Sequence, residues 1–459
     1  MDNIGLSVKI AEKVEKAGGR AFYVGGFVRD ALLGRPQSDS PDIDIEVHGI
    51  TPDILKDILS SFGPFLETGK SFGIYSLRGS SIDIAMPRTE NNTGSGHRDF
   101  EVFVDPYIGT KKAAERRDFT VNSIMKDVLT GEIIDHFGGM NDLKKKIIRH
   151  VNDISFCEDP LRVLRAAQFA ARFEFEIASE TVELCKKIPL DSLPMERIFG
   201  ELEKALLRSD KPSIFFKVLD DFGALSFLFK ELAALKGIPQ PVKYHPEGDA
   251  YIHTLCVSDA AAGFRREAEY PLGFMLSAVC HDLGKATCTE YGSGDFHALG
   301  HEVAGVELSK TMLARLTNDK NLKKYVCNLV LLHMKPNKMS ADGSSVKATN
   351  RMFDDAISQR DLILLSMSDI SPAAFLPGDV KEALYERMRS HREFLEERLK
   401  IYNEYMSRPF VSGEDLINAG LEPGEDFSRM LCEAHKLRLS GIPKETVLKH
   451  ILGKRNRSS

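Results

Sequence analysis

The stretch AFYVGGFVRDALLGRPQSDSPDIDIEV (21–47) passes from a short apolar run through two glycines into a helical pattern, and ends in a strictly alternating hexad. AFYV (21–24) reads as a strand, the segment after Gly25 and Gly26 as a helix, and DIDIEV (42–47) as a second strand. Strand side chains alternate between faces, so Asp42, Asp44 and Glu46 share one face while Ile43, Ile45 and Val47 share the other. Two carboxylates roughly 6.5–7 Å apart along one strand can share divalent cations. The glycine pair lets backbone approach a phosphate closely, the helix start offers N–H donors, and Arg29 adds a formal charge. One half of such a unit suits a triphosphate and the other its metal. The plain alternatives are an amphipathic edge strand with a solvated polar face and an ordinary tight turn.

Upstream, 6–16 reads as a helix stopped by Gly18 and Gly19. Downstream, TPDILKDILSSFG (51–63) has Thr51 as N-cap, helical spacing and a glycine stop, and GIYSL (73–77) and SIDIAM (81–86) read as strands. From about 141 the strand signals fade and helical segments run to the end, so the fold class is α+β: a small mixed-sheet head followed by an all-helical remainder. Breaks are expected in LKGIPQPVKYHPEGD (235–249) and near SRPFVSGED (407–415). The length of 459 residues, at roughly 100–200 per domain, gives about three domains. A net charge of −6 argues against a protein that coats nucleic acid indiscriminately, although carboxylates of metal sites can mask a local basic track. The seven cysteines are scattered and form no CxxC pair, which fits a reducing compartment. With neither a signal peptide nor a run of 18 apolar residues, a cytoplasmic protein without a membrane partner is expected.

GGFVRDALLG (25–34), DID (42–44), RRDFTVNSI (116–124), EDPLRVLRAAQFAARF (158–173) and ERIFGELEKAL (196–206) together resemble the ordered motifs of the class II tRNA nucleotidyltransferases and bacterial poly(A) polymerases. The resemblance implies a polymerase-beta-like head (1–140), a helical neck that reads the nucleotide with an RNA-binding body (141–240), and helical domains beyond. It implies CCA addition to a tRNA 3′ end from CTP and ATP. Nucleotidyl transfer requires two metals bridged by carboxylates, so Asp42 and Asp44 are the expected catalytic Mg2+ ligands. Asp83 is a further candidate, though an alternating IDIA strand explains it almost as well. Gly25, Gly26 and Arg29 are expected at the triphosphate. Arg116 and Arg117 suit phosphate or ribose, and by the family match Arg117 contacts the nucleotide.

In EDPLR, Asp159 can cap a helix whose first position is Pro160, which sets Arg162 and Arg165 on the same face as Glu158 or Asp159. Cytosine and adenine both present an exocyclic amino donor beside a ring-nitrogen acceptor, and uracil and guanine present the reverse. A carboxylate and a guanidinium, Asp159 and Arg162, would therefore accept C and A without a template. The plain alternative is a capping Asp with solvated arginines. Relatives often carry Arg at Gln168 and Ala at Ser123. The segment PRTENNTGSGHRDFEVF (87–103) is expected to be mobile, and resembles the loop that helps CCA-adding enzymes switch from C to A.

HTLCVSDAA (253–261), AVCHDLGKA (278–286), FHALGHEVAG (296–305), LLHMKPN (331–337) and LLSMSDIS (364–371) carry His253, His281 with Asp282, His301, His333 and Asp369. Imidazoles and carboxylates from separate helices can hold one or two divalent metals (Mn, Ni, Fe or Mg) and activate water against a phosphate ester. This resembles an HD-type metal phosphohydrolase domain (241–400) fused to some bacterial CCA-adding enzymes, and His301 and His333 are candidates for a second metal. His297 is a spare, and a fold kept only for its shape is the plain alternative. The tail (401–459) resembles the C-terminal segment of such enzymes. Lys144 to Lys146, Arg149, Lys436 to Arg438 and Lys454 to Arg457 are candidate RNA contacts. Rival readings are a poly(A) polymerase, a CC-only or A-only enzyme, and an RNA-binding protein whose only activity is HD hydrolysis.

Overall fold

The computed structural model describes every residue except 1, 36–41, 69–72, 93–99, 242–246, 372, 374, 409 and 456–459. The chain forms two compact units, Met1–Glu201 with Lys217–Ala224, and Leu202–Phe216 with Leu225–Ser459.

The head of the first unit carries, among the described residues, the strands β1 (Arg20–Val24), β2 (Ile43–His48), β3 (Phe65–Thr68), β4 (Ile74–Leu77), β5 (Ile82–Ala85), β6 (Arg88–Asn92), β7 (Phe100–Val104), β8 (Met125–Asp127) and β9 (Ile133–Ile134). Seven of them form one sheet in the order β3-β4-β5-β2-β1-β8-β9, antiparallel except for the parallel β2–β5 pair. The alternation in DIDIEV sets the faces: Ile43 and Ile45 are 1% exposed and Val47 fully buried. Helices Asn3–Lys16 and Pro52–Ser60 close that side with Ile10, Val14, Leu55 and Leu59. Each such buried side chain is worth about 1.5–3 kcal/mol, so a one-residue slip of β2 would lose several kcal/mol and bury its acids instead. Thr51 is the N-cap of the second helix as expected, although its hydroxyl makes no capping bond.

The segment 87–103 departs from the expected loop. Its flanks pair as the antiparallel hairpin β6–β7, and its Gly/Ser-rich middle, 93–99, lies outside the described residues. Beyond the sheet, RRDFTVNSI runs against the neck. Phe119 sits between Phe156 and Phe169 at centroid separations of 5.7 and 5.6 Å, and Thr120 N–H donates to Arg149 O. Helices Asp153–Cys157 and Leu161–Phe173 supply these rings, so Arg116 and Arg117 are carried on a segment packed against the EDPLR helix.

In the second unit, helices Ala250–Phe264, Pro271–Cys280, His301–Ala314, Lys320–Leu332 and Gln359–Asp369 form the bundle that carries the histidine series. The 30-residue helix Gly378–Ser407 follows. It ends in the expected break, and the segments beyond it bury their own cluster of Val411, Leu416, Leu421, Ala434, Val447 and Ile451. The remainder is not wholly helical. Ile147–Ile148 pairs with Glu176–Ile177, and Glu290–Gly292 pairs with Asp295–His297 around Ser293 and Gly294, both at positive φ. That hairpin's three-residue strands are too short to carry a period-2 signal, and its turn has the φ signs of type I′.

Candidate functional site

Gly25 ends β1 and turns the chain at φ +66° into the helix Gly26–Leu32. A Cβ there would stand 3.5 Å from Asp44 Oδ2 and 3.7 Å from Arg117 Nη1, so the glycine turn, the carboxylate and the guanidinium meet at one point. Parallel pairing of β2 with β5 sets Asp83 directly opposite Asp44, and Asp83 accepts from Ser76 Oγ at 2.5 Å. Crowding by protein atoms raises the Asp44 carboxyl above its ordinary value; Arg117 opposes this, and the like charges of Asp83 and Asp42 add to it. A cation relieves such crowding, and an all-oxygen donor set suits Mg2+. Among the described residues, triads of ligand atoms within 4.8 Å of one another occur only in the second unit, so Asp42, Asp44 and Asp83 do not all three come within that distance of one another.

Glu46, on the same face, is buried against Arg117 and His48. It accepts from Arg117 Nη2 at 2.9 Å and meets His48 Nε2 at 2.8 Å. Burial works against its ionisation, but Arg117 and His48 outweigh it and hold the carboxyl below its ordinary value. Arg117 Nε is buried without a hydrogen-bond partner. Glu46 and Arg117 line a cleft of about 440 Å³ together with Arg116, Glu158, Asp159, Arg162 and Arg197.

The EDPLR helix begins at Leu161, with Pro160 at the N-cap rather than in the first turn. Asp159 still caps it, one residue earlier than expected: Oδ1 accepts from Leu161 N–H at 3.1 Å, while Oδ2 accepts from Arg197 Nη2 at 2.7 Å. Arg162 donates to the carbonyl of Arg116 at 2.8 Å and to that of Ser155. Arg165 and Arg29 are placed off the cleft wall. Arg165 donates twice to buried Asp118, at 2.8 and 2.6 Å. Arg29 is 3% exposed, bonded to Asp30 and Asn122 and stacked on Phe173 and Phe169. Asp118 and Asn122, inside RRDFTVN, draw both guanidiniums inward.

In the second unit the six expected ligands converge as two triads, His253 with His281 and Asp369, and Asp282 with His301 and His333. The Nδ1 atoms of His281, His301 and His333 lie 2.8, 2.6 and 2.6 Å from the carbonyls of Ala278, Ala298 and Val330, and that of His253 meets Glu247. For His281, His301 and His333 an Nδ1–H donated outward leaves Nε2 with a lone pair, while His253 Nε2 stands 3.0 Å from Asp369 Oδ1. The Nε2 atoms face one another, 3.3 Å apart for His281 and His253 and 3.2 Å for His301 and His333. Asp282 lies between the pairs, Oδ2 3.2 Å from His281 Nε2 and Oδ1 3.3 Å from His301 Nε2. Its Oδ2 has no well-aligned hydrogen bond, although Lys285 Nζ stands 2.6 Å away. Lone pairs aimed at one another beside an underused carboxylate oxygen fit a divalent cation in each half. His297 is exposed on the hairpin and belongs to neither triad, although it lines the same chamber as Asp282, His301 and Asp369.

Residues 21–149 match the family described as "Poly A polymerase head domain", and 174–236 match "Probable RNA and SrmB- binding site of polymerase A". The chain is 40% identical over 304 residues to a Multifunctional CCA protein of Pasteurella multocida, covering 64% of this chain and 69% of that one. It is 39% identical over 321 residues to the Multifunctional CCA protein of Mannheimia succiniciproducens, covering 67% and 73%. The chain belongs to the class II CCA-adding nucleotidyltransferase and poly(A) polymerase family. Its fold agrees with that of the Thermotoga maritima CCA-adding enzyme complexed with tRNA (TM-score 0.61, 22% identity, 98% and 95% coverage) and of an apo CCA-adding enzyme (TM-score 0.65, 22%, 99% and 96%).

Ser123 and Gln168, the positions where the resemblance implies other residues, are both buried. Ser123 Oγ donates to Thr120 O at 2.8 Å, and Gln168 is 2% exposed on the neck helix. Arg149 is engaged by Asp142 and Glu180, and Arg438 donates to the carbonyls of Tyr405 and Met406 near the end of the long helix. Sequence reasoning missed Glu46 as the partner of Arg117, although the alternation already put it beside Asp44. It also missed Arg197 on Asp159, Glu247 behind His253, and Asn337, which donates to Asp369 at 2.7 Å. No local pattern pointed to those three.

Proposed function

We propose that this enzyme adds CCA to the 3′ end of tRNA from CTP and ATP. The observation that carries the reading is the convergence of Gly25, Asp44 and Arg117 at one point, with Arg117 lining a cleft that Asp159 and Arg162 also line. The RNA 3′-oxygen forms a bond to the α-phosphorus, the bond to the pyrophosphate oxygen breaks and that oxygen keeps the electron pair, and the hydroxyl proton passes to solvent water. Mg2+ held by Asp42 and Asp44, with Asp83 beside them, would neutralise the developing charge. Arg117 and Arg116 bind the triphosphate and ribose, with the Gly25–Gly26 turn against the phosphates. Asp159 accepts from the amino group of cytosine or adenine and Arg162 donates to the ring nitrogen; Arg29 and Arg165 act from behind, holding the turn and RRDFTVN. Extension of a tRNA lacking CCA with labelled CTP and ATP, separately and together, tests this. A ladder of many A residues, or addition that stops at CC or needs only ATP, would replace it with the poly(A), CC-adding or A-adding reading. Asp42→Ala should abolish addition.

We further propose that the second unit is a metal-dependent phosphohydrolase of HD type, acting on 2′,3′-cyclic or terminal phosphates of RNA 3′ ends and thereby restoring the hydroxyl that the head extends. The lone-pair geometry of His253, His281, His301 and His333 around Asp282 and Asp369 supports this. Bound metal would supply an activated water; its oxygen bonds to phosphorus, the bond to one ribose oxygen breaks, and that oxygen takes the proton. His281→Ala should abolish phosphate release with Mn2+, Ni2+ or Mg2+ while leaving addition intact. The division into head (1–140), neck and body (141–240), HD domain (241–400) and tail (401–459) belongs to the same proposal. An RNA-binding protein with hydrolysis alone would show phosphate release and no extension.

A further inference from the structure

Asp159 and Arg162 are held in different ways. Two backbone carbonyls, those of Ser155 and Arg116, fix the Arg162 guanidinium. Asp159 Oδ1 is tied locally, accepting from Leu161 N–H at 3.1 Å, and one bond to one oxygen leaves the carboxylate plane able to turn about it. Arg197 closes that freedom. It stands on the helix Met195–Arg208, 38 residues along the chain from Asp159, and its Nη2 donates to Oδ2 at 2.7 Å. Arg197 is 42% and Asp159 33% exposed, and both line the cleft, so the ion pair adds little to the stability of the fold. Its effect is on aim. Each carboxylate oxygen keeps a further lone pair beyond these two bonds, and the two bonds together fix where those lone pairs point. Cytosine presents an amino N–H where uracil presents a carbonyl oxygen, and adenine differs from guanine in the same way. An ionised carboxylate only accepts, so when held in place it meets the wrong base acceptor to acceptor, with no bond. Able to turn, it would move aside and let a water bridge the gap, and the penalty on the wrong base would fall.

We propose that Arg197 is a positioning residue for base selection: acting through Asp159 and not on the nucleotide, it sets the preference for C over U and for A over G. The inference rests on the base-reading role of Asp159 proposed above and adds what makes that reading selective. The test measures kcat/KM for CMP and for UMP addition to tRNA lacking CCA, with the full chain and its Arg197→Met, Arg197→Lys and Asp159→Asn variants. Arg197→Met should cut the CTP-to-UTP ratio about tenfold, within the discrimination that a hydrogen-bonded side-chain pair exerts on a base, by a fall with CTP and a rise with UTP. Arg197→Lys should recover the ratio to within about threefold of the parent, because the contact runs through one nitrogen and an ammonium supplies one. On tRNA ending in CC, the ATP-to-GTP ratio should follow the same order. An equal loss on CTP and UTP would mean that Arg197 holds nucleotide or RNA directly and overturns the positioning role, as does an unchanged ratio. Asp159→Asn separates the two readings. A ratio that falls with Asp159→Asn but not with Arg197→Met removes the positioning role alone, whereas a ratio untouched by Asp159→Asn removes the base-reading of Asp159 and this inference with it.

Discussion

Replacing Glu46 with Gln keeps the shape of the side chain and removes the charge that orients Arg117. The carboxylate accepts from Arg117 Nη2 at 2.9 Å and meets His48 at 2.8 Å, with Glu46 8% exposed. A hydrogen bond to a charged group contributes about 1.5–3 kcal/mol and a neutral one about 0.5–1.5. The exchange therefore costs the Arg117 contact about 1–1.5 kcal/mol, and mis-aiming of the amide N–H towards one partner adds to this. With one decade per about 1.4 kcal/mol, Glu46→Gln should raise KM for CTP about tenfold. The change should lie in KM rather than kcat, because on the proposed reading Glu46 acts through Arg117, the arginine that holds the nucleotide, and not on the reacting atoms. Steady-state addition of CMP to tRNA lacking CCA measures this, with thermal unfolding as the control for folding. The sign with pH follows from the depressed Glu46 carboxyl. Its contribution is complete above the ordinary glutamate value of about 4.3 and is lost as pH falls through the lower folded value. An unchanged KM in a folded Glu46→Gln protein would refute the orienting role.

Asp118→Ala should destabilise the first unit by about 3 kcal/mol, the low end for breaking a buried ion pair, because Arg165 is 30% exposed and water can reach it. Burial opposes Asp118 ionisation but Arg165 outweighs it and holds the carboxyl low, so this stability persists to below about pH 3.9 and is lost beneath the folded value; denaturant melts across pH should show it. Mn2+ or Ni2+ at about 100 times its dissociation constant should stabilise the second unit by about 2.7 kcal/mol, read as a chelator-reversible rise in Tm that His281→Ala diminishes. Gly284→Ala should cost that unit about 3 kcal/mol by overpacking, because the new Cβ would lie 2.0 Å from His301 O and 2.7 Å from Gly305 N; calorimetry checks it.

The head elements were legible because their signals are local. DIDIEV alternates over six residues, and a glycine at φ +66° follows an apolar run. The histidine series was also legible, since six ligand-type residues sit on helical segments in order, and all six come together. Partnerships that form at long range were not. Nothing within RRDFTVN says that Asp118 takes Arg165 across 47 residues, or that Arg29 finds Asn122 across 93. Both arginines therefore read as ligand contacts when their guanidiniums are turned inward. The hairpin bearing Phe296 was lost because three-residue strands have no detectable period.

Asp282 extends one oxygen into each half of the histidine cluster. A single rigid group of three atoms therefore couples the halves. On the proposed metal-binding reading, a cation entering one half would fix the carboxylate's torsion and aim its other oxygen, so a second entry would meet a ligand already ordered, and the coupling would be reciprocal. Cooperative loading is the expected outcome: metal titrations should rise sigmoidally, and a substitution at His253 should weaken affinity at His333 as well as at its own half.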